Sequence, residues 1–416
     1  MSKLFLLKRF TSSNLVKNSG WVLIGQILVK FSRLVTTAIL ARELSIDDYG
    51  YVAIILTTTQ YLMVVSQSGT KDRIIQCKES QFDVVAQTSW NIQFLIGVTA
   101  FIIQASCAFI LSKVLANDEL LLPILIAGVI HLITPFSYVQ LAIIQRRCDF
   151  KLYSKIDSLV IIVDNLSSAL LAVLGFGYWS IVLKGFVCLP LQIILCYRWE
   201  KWRPILTLQM TQWRETLFFS LKTLSVDLMR ITRESLDYIL VGRFLGIQAL
   251  GLYYFAFNSG LGLSMSIAQP LEKTVYSDFC AKLNVGLKRI DVIKSVLLSL
   301  GIMSLIIILQ CMLAKFYVPI VFGTKWMEAG ALPILILVCL SGLTRLPARS
   351  AFLALRSIGK VDIELIYSFV FTLVFSLIIF IAAQFSVTVV AFCVFAVHLL
   401  LEPIFIIRSF RFFPTR

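Results

Sequence analysis

Long apolar runs alternate with short basic ones along this chain, and that alternation dictates the solvent in which it folds. A helix that is apolar on all sides needs lipid or a very large core around it. About 20 such residues cross a bilayer. Twelve windows qualify: residues 18–40, 51–69, 84–111, 120–145, 157–175, 178–197, 217–241, 247–269, 292–314, 329–345, 361–383 and 386–407. Over all 416 residues, 58% are hydrophobic and the mean hydropathy is +0.88, which excludes a soluble protein of two or three domains.

Lysine and arginine set the orientation. With the N-terminus in the cytoplasm, 27 of the 38 fall on the cytoplasmic side and five on the other. The net charge of +15 therefore belongs to inner loops and calls for no nucleic-acid partner. The opening MSKLFLLKRF reads as a basic cytoplasmic approach to the first span. Nine scattered cysteines without a CxxC pair, and only two histidines, predict neither a disulfide frame nor a metal centre.

The chain repeats itself. Ala38–Gly50 aligns without gaps on Ile239–Gly251, and Pro123-Ile-Leu-Ile on Pro333-Ile-Leu-Ile, the second match running on to Thr134/Thr344 and Arg146/Arg356. Two matches in the same order at nearly the same offset predict parallel repeats of six spans, related by an axis along the membrane normal. The expected fold is an all-α polytopic membrane protein of about 12 transmembrane helices in two pseudo-symmetric lobes around a central cavity. The lobes are residues 1–197 and 217–416, joined by a cytoplasmic linker at 198–216.

No catalytic constellation is present: there is no GxxxxGK[ST], HExxH or GxSxG. Gly69-Thr-Lys-Asp72-Arg73 falls short of the major-facilitator loop pattern and reads as a basic turn. The outer loops are short, which argues against a membrane polymerase. The protein is expected not to be an enzyme.

Polar residues inside the spans are the candidates for function, since charge at bilayer depth costs several kcal/mol unless paired or hydrated. Leu217–Val241 carries Lys222, Asp227, Arg230, Arg233, Glu234 and Asp237 within an arc of about 140°. The first span carries Gln26, Lys30 and Arg33 on one seam. Pairing along the helix at i,i+3 and i,i+4 would explain Asp227, Arg230, Glu234, Arg233 and Asp237. Lys30 and Arg33 have no acid on their own helix, and surplus Arg and Lys suit an anionic, phosphate-bearing substrate. The substrate cavity is thus assigned to Lys30, Arg33, Arg230, Arg233, Gln26 and Lys222, with Lys184 either facing it or packing helices. Asp227, Glu234, Asp237 and Asp164 form the charge network or cation-coupling set. Asp157 and Asp362 read as helix caps, Ser45 and Asp48 as a capping box. His131 and His398 read as core residues, and Glu402 is placed near the cytoplasmic mouth.

Leu40-Ala-Arg42-Glu-Leu-Ser-Ile-Asp-Asp-Tyr49-Gly50 resembles the end-of-helix-1 signature of bacterial polysaccharide exporters, the lipid-linked oligosaccharide flippases of the multidrug/oligosaccharidyl-lipid/polysaccharide superfamily. Asp237–Gly246 with Leu250-Gly-Leu-Tyr253 is similar to their second-lobe signature, as are Phe322-Gly-Thr-Lys-Trp326 and Gly177-Tyr-Trp179. The resemblance implies a flippase of polyprenyl-diphosphate-linked oligosaccharide, an O-antigen or exopolysaccharide repeat unit, in the inner membrane. It implies alternating access, no cofactor, coupling to H+ or Na+, and membrane lipids, a glycan polymerase and export machinery as partners. A drug antiporter of the same superfamily or a major-facilitator transporter is the alternative.

Overall fold

The computed structural model describes residues 13–67, 74–75, 77, 79–115, 117–147, 149–205, 213–266, 272, 275, 278–279, 282 and 287–414. Within helices, the side chains of 13–24, 65–67, 150, 214–227, 230, 233 and 361 lie outside the described set. The stretch 69–73, read from the sequence as a basic turn, also lies outside the described residues.

Among the described residues every regular element is helical. The first half holds α1 (Ser13–Glu43), α2 (Ile46–Gln67), α3 (Phe82–Val114), α4 (Leu121–Gly128), α5 (Ile130–Ile133), α6 (Pro135–Arg146), α7 (Phe150–Val173) and α8 (Trp179–Trp199). The second holds α9 (Trp213–Leu245), α10 (Ile247–Phe257), α11 (Arg289–Tyr317), α12 (Lys325–Glu328), α13 (Ala331–Leu340), α14 (Gly342–Ser357), α15 (Val361–Ala382) and α16 (Val387–Ser409). Each of the twelve apolar windows contains a helix. Seven helices pass as membrane spans by length and composition alone, and the bent pair Asp118–Ile133 with Pro135–Arg146 makes an eighth. The polar-striped α1 and α9 are 31 and 33 residues long, ample to cross a bilayer at about 1.5 Å per residue.

Two windows are not single rods. The fourth breaks into α4, α5 and α6, bent by 46° where Pro135 removes a helical donor. The tenth breaks at Ser341 between α13 and α14, then runs on to Ser357, well past the expected end at 345. The offset that pairs Arg146 with Arg356 matches the far ends of α6 and α14. Helix starts also shift: α7 begins at Phe150, capped by Asp149, which accepts from the Leu152 amide at 3.0 Å. Asp157 is therefore two turns inside the helix and caps nothing. Ser45 and Asp48 do form the expected capping box, each side chain bonding the other's amide at 3.0 and 2.8 Å.

The chain divides into two compact units, Met1–Leu44 with Thr58–Leu228, and Ser45–Thr57 with Met229–Arg416. In the first, α1 packs on α7 through small polar residues: Asn165 donates to the Ser32 hydroxyl at 2.9 Å, and Thr36 donates to the Asn165 carbonyl at 3.0 Å. Such contacts let backbones approach where lipid supplies no hydrophobic drive. Arg146 ties down the loop after α2, donating to the carbonyls of Ile74 and Cys77 at 2.7 Å each and to Glu79 at 2.8 Å. The start of the segment after α8 is held as well. Buried Glu200 receives Arg147 at 2.7 Å, and Gln87 exchanges two hydrogen bonds with the backbone of Ile205.

In the second unit the first turns of α2 cross the first turns of α10. A β-carbon on Gly50 would sit 2.2 Å from the Ile247 carbonyl oxygen, and one on Gly251 would sit 1.9 Å from that of Ile46. Gly50/Gly251 and Ile46/Ile247 are the same repeat positions, so the crossing is itself symmetric. Trp326 roofs it, fully buried, stacked on Phe255 at 3.7 Å and edge-on to Tyr49 at 4.9 Å. Tyr49, Gly50, Gly251 and Trp326, all from the signature segments, thus converge on one joint. A second core joins α11, α14 and α16 through Val296, Ala351, Phe352 and Phe405.

Candidate functional site

Polar side chains inside the spans gather differently in the two units. In the first, Lys184 of α8 meets Asp164 of α7 at 2.7 Å, both partly exposed. Each has the other as ion partner, so one cavity candidate and one coupling candidate form a single neutral pair. On α1, Ser32 and Thr36 face α7, while Gln26 and Arg33 are exposed and Lys30 half-buried beside that seam. Neither Lys30 nor Arg33 forms an ion pair among the described residues. His131 is a satisfied core residue, 2.8 Å from Gln104 Oε1, and Gln104 in turn donates to Thr59 and the Ile124 carbonyl.

The second unit buries some of its ionisable groups, Asp237, His398 and Glu402 among them. Asp237 is 3% exposed and accepts the Tyr253 hydroxyl at 2.6 Å. His398 Nδ1 lies 2.8 Å from Glu402 Oε1, one turn along α16, and both are buried. Glu402 Oε2 is buried with no hydrogen-bond donor among the described residues. Arg345 of α14 lies within electrostatic reach of Asp237 and of Glu402. Its Nε is buried without an acceptor there, and its guanidinium stands over the Phe257 ring at 5.8 Å. Four helices, α9, α10, α14 and α16, therefore meet at one charged cluster. Beside it, Arg349 donates to Glu272 at 3.1 Å and reaches Glu234 at 3.4 Å. The side chains of Lys222, Asp227, Arg230 and Arg233 lie outside the described set.

From the sequence, Arg345 carries no functional expectation, His398 reads as a core residue and Glu402 as near the cytoplasmic mouth. The tenth apolar window ends at Arg345 because Arg345, Pro347 and Arg349 depress the apolar average, yet all three lie within α14. The repeat held the missing signal, since it maps the end of α6 onto Arg356. Glu402 is buried against His398, and their i,i+4 spacing is the sequence signal for the pair. His398 is a core residue, but one paired with a carboxylate.

A multi-pass helical bundle with ion pairs inside its spans is the architecture of a membrane transporter. The model of the polysaccharide biosynthesis protein family matches residues 39–331, and the chain belongs to that family. The teichuronic acid biosynthesis protein TuaB of Bacillus subtilis (strain 168) is 22% identical over 397 residues, covering 90% of this chain and 77% of that protein. Among solved structures, the lipid II flippase MurJ in an inward closed conformation superposes with a TM-score of 0.77 at 12% identity, covering 96% of this chain and 88% of its own. An inward-facing multidrug resistance MATE family transporter gives 0.71 at 13% identity, covering 93% and 97%. These neighbours share the two-lobed fold expected from the repeat.

Proposed function

We propose that the protein flips a polyprenyl-diphosphate-linked oligosaccharide, an O-antigen or exopolysaccharide repeat unit, from the cytoplasmic to the outer leaflet of the bacterial inner membrane. Two six-helix lobes, 1–197 and 217–416 about the 198–216 linker, rock around the cargo, with both termini cytoplasmic. No bond is made or broken. The observation that carries this reading is cation without counter-charge in an apolar helix: Lys30 and Arg33 have no acidic partner among the described residues. Together with Arg230, Arg233, Gln26 and Lys222 they hold the diphosphate and sugars, while the lipid tail stays in the bilayer. Lys184 acts as half of its pair with Asp164.

Coupling follows from charge balance in the second unit. Two carboxylates, Asp237 and Glu402, face one guanidinium, Arg345, which leaves one negative charge over. A proton shared by His398 and Glu402, or Na+ at the Glu402 carboxylate, restores neutrality. Glu234 and Asp227 order the neighbouring arginines. A glycan polymerase and the export machinery receive the flipped unit.

The test is export of surface glycan in a strain whose own copy is deleted. Arg33→Ala and Arg230→Ala are expected to stop it with membrane protein level unchanged; normal export in both variants overturns the cavity assignment. Asp237→Asn is expected to abolish the response to an imposed H+ or Na+ gradient. A MATE-like fold makes drug export the second reading, and it predicts drug resistance on overexpression, which the flippase reading does not.

A further inference from the structure

The geometry points to a binding site for an anionic membrane phospholipid on the second unit, in the groove between α15 and α16 and separate from the charged cluster. The groove has a volume of about 520 Å³. Its long wall is apolar and faces outward: Ile366, Val370 and Ile404 are each at least half exposed. One end is different in kind. Arg408 and Arg411 line it with Phe412, and Lys360 caps the Phe412 ring at 4.6 Å.

These three cations are not consumed by neighbours. Arg408, Arg411 and Lys360 form no ion pair among the described residues. The nearby Glu364 is taken by Arg356, which donates to both its oxygens at 2.6 and 2.5 Å. That leaves Asp362, in the first turn of α15, as the exposed carboxylate of that end among the described residues. An apolar trench ending in an arginine pair matches a molecule with an acyl chain and a phosphate headgroup. Arginine forks suit phosphate oxygens, and basic pockets between spanning helices select anionic headgroups. The occupant is a phospholipid of the surrounding bilayer rather than the cargo, because the groove wall is the exposed apolar face of α15 and α16. Its headgroup would also brace the end of the chain, where the Pro414 carbonyl accepts the Arg289 amide at 2.9 Å.

The whole protein in detergent, mixed with equal amounts of phosphatidylglycerol and phosphatidylethanolamine and examined by native mass spectrometry, tests this. Phosphatidylglycerol adducts are expected to persist over phosphatidylethanolamine adducts. Arg408→Gln with Arg411→Gln should lower their occupancy by about fivefold per arginine. Ile366→Trp with Ile404→Trp fills the trench but keeps the charge, and should lower it too. Lys113→Gln, a remote exposed cation, should leave it unchanged. Equal retention of both lipids, undiminished adducts in the arginine variant or in the tryptophan variant, or displacement of phosphatidylglycerol by polyprenyl phosphate at equal concentration would each overturn the proposal.

Discussion

Between α7 and α8 the first unit pairs Lys184 with Asp164, both partly exposed. The second unit buries Asp237, Glu402 and His398, with the half-buried Arg345 in electrostatic reach of both carboxylates. A pair that is neutral and partly hydrated can lose one member and rehydrate the other. A buried cluster cannot, because an unpaired charge there has no water to return to. Under the proposed coupling, the proton or cation belongs to the second unit, where two buried carboxylates face one guanidinium.

The largest difference should come from removing one cation in each unit. Arg345→Met is expected to destabilise the protein by about 3–5 kcal/mol, read as a large drop in melting temperature in detergent. Lys184→Met should cost about 1 kcal/mol or less. Equal losses would dissolve the contrast. Next come the glycines. Gly251→Ala drives a methyl group into a backbone carbonyl that cannot move aside, with an expected cost of about 3 kcal/mol. Gly185→Ala in the first unit meets nothing within 4 Å and should be neutral. A smaller effect is expected at the loop clamp of the first unit. Arg146→Ala strands the Ile74 and Cys77 carbonyls and should cost about 2 kcal/mol, whereas Glu79→Ala, on the exposed side of the same contact, should cost under about 1 kcal/mol. Proteolysis of the loop at 74–79 in the Arg146 variant would report this directly. At the bottom of the scale, breaking the exposed Lys113–Asp118 pair, 3.4 Å apart, should change stability by no more than about 0.5 kcal/mol.

What was legible in the sequence was whatever depends on near neighbours. Each apolar window holds a helix, the Ser45–Asp48 spacing predicts the capping box, and the repeat predicts the matched ends at Arg146 and Arg356. What depends on distant neighbours was not legible. Trp326 reads locally as part of a polar turn, and its burial comes from Tyr49 and Phe255, hundreds and tens of residues away in the chain. Arg345 reads as no more than the last residue of the tenth window until α9 and α16 supply carboxylates around it. Asp237 lies on the charged stripe of α9 by spacing, but the Tyr253 hydroxyl draws it into the core. Lys184 and Asp164 were each singled out for different reasons, and nothing in their spacing told that they meet.

The crossing at Gly50 and Gly251 bears on how the chain is made. The second unit needs residues 45–57, which leave the ribosome long before the rest of it. That early stub cannot find its seat under Trp326 until most of the chain has been inserted, so its aromatic and glycine surface must wait exposed. A second half expressed alone would lack the piece that fills its own joint. Co-expressed fragments cut between residues 205 and 213 should recover a folded second unit only when the first fragment still carries Tyr49 and Gly50.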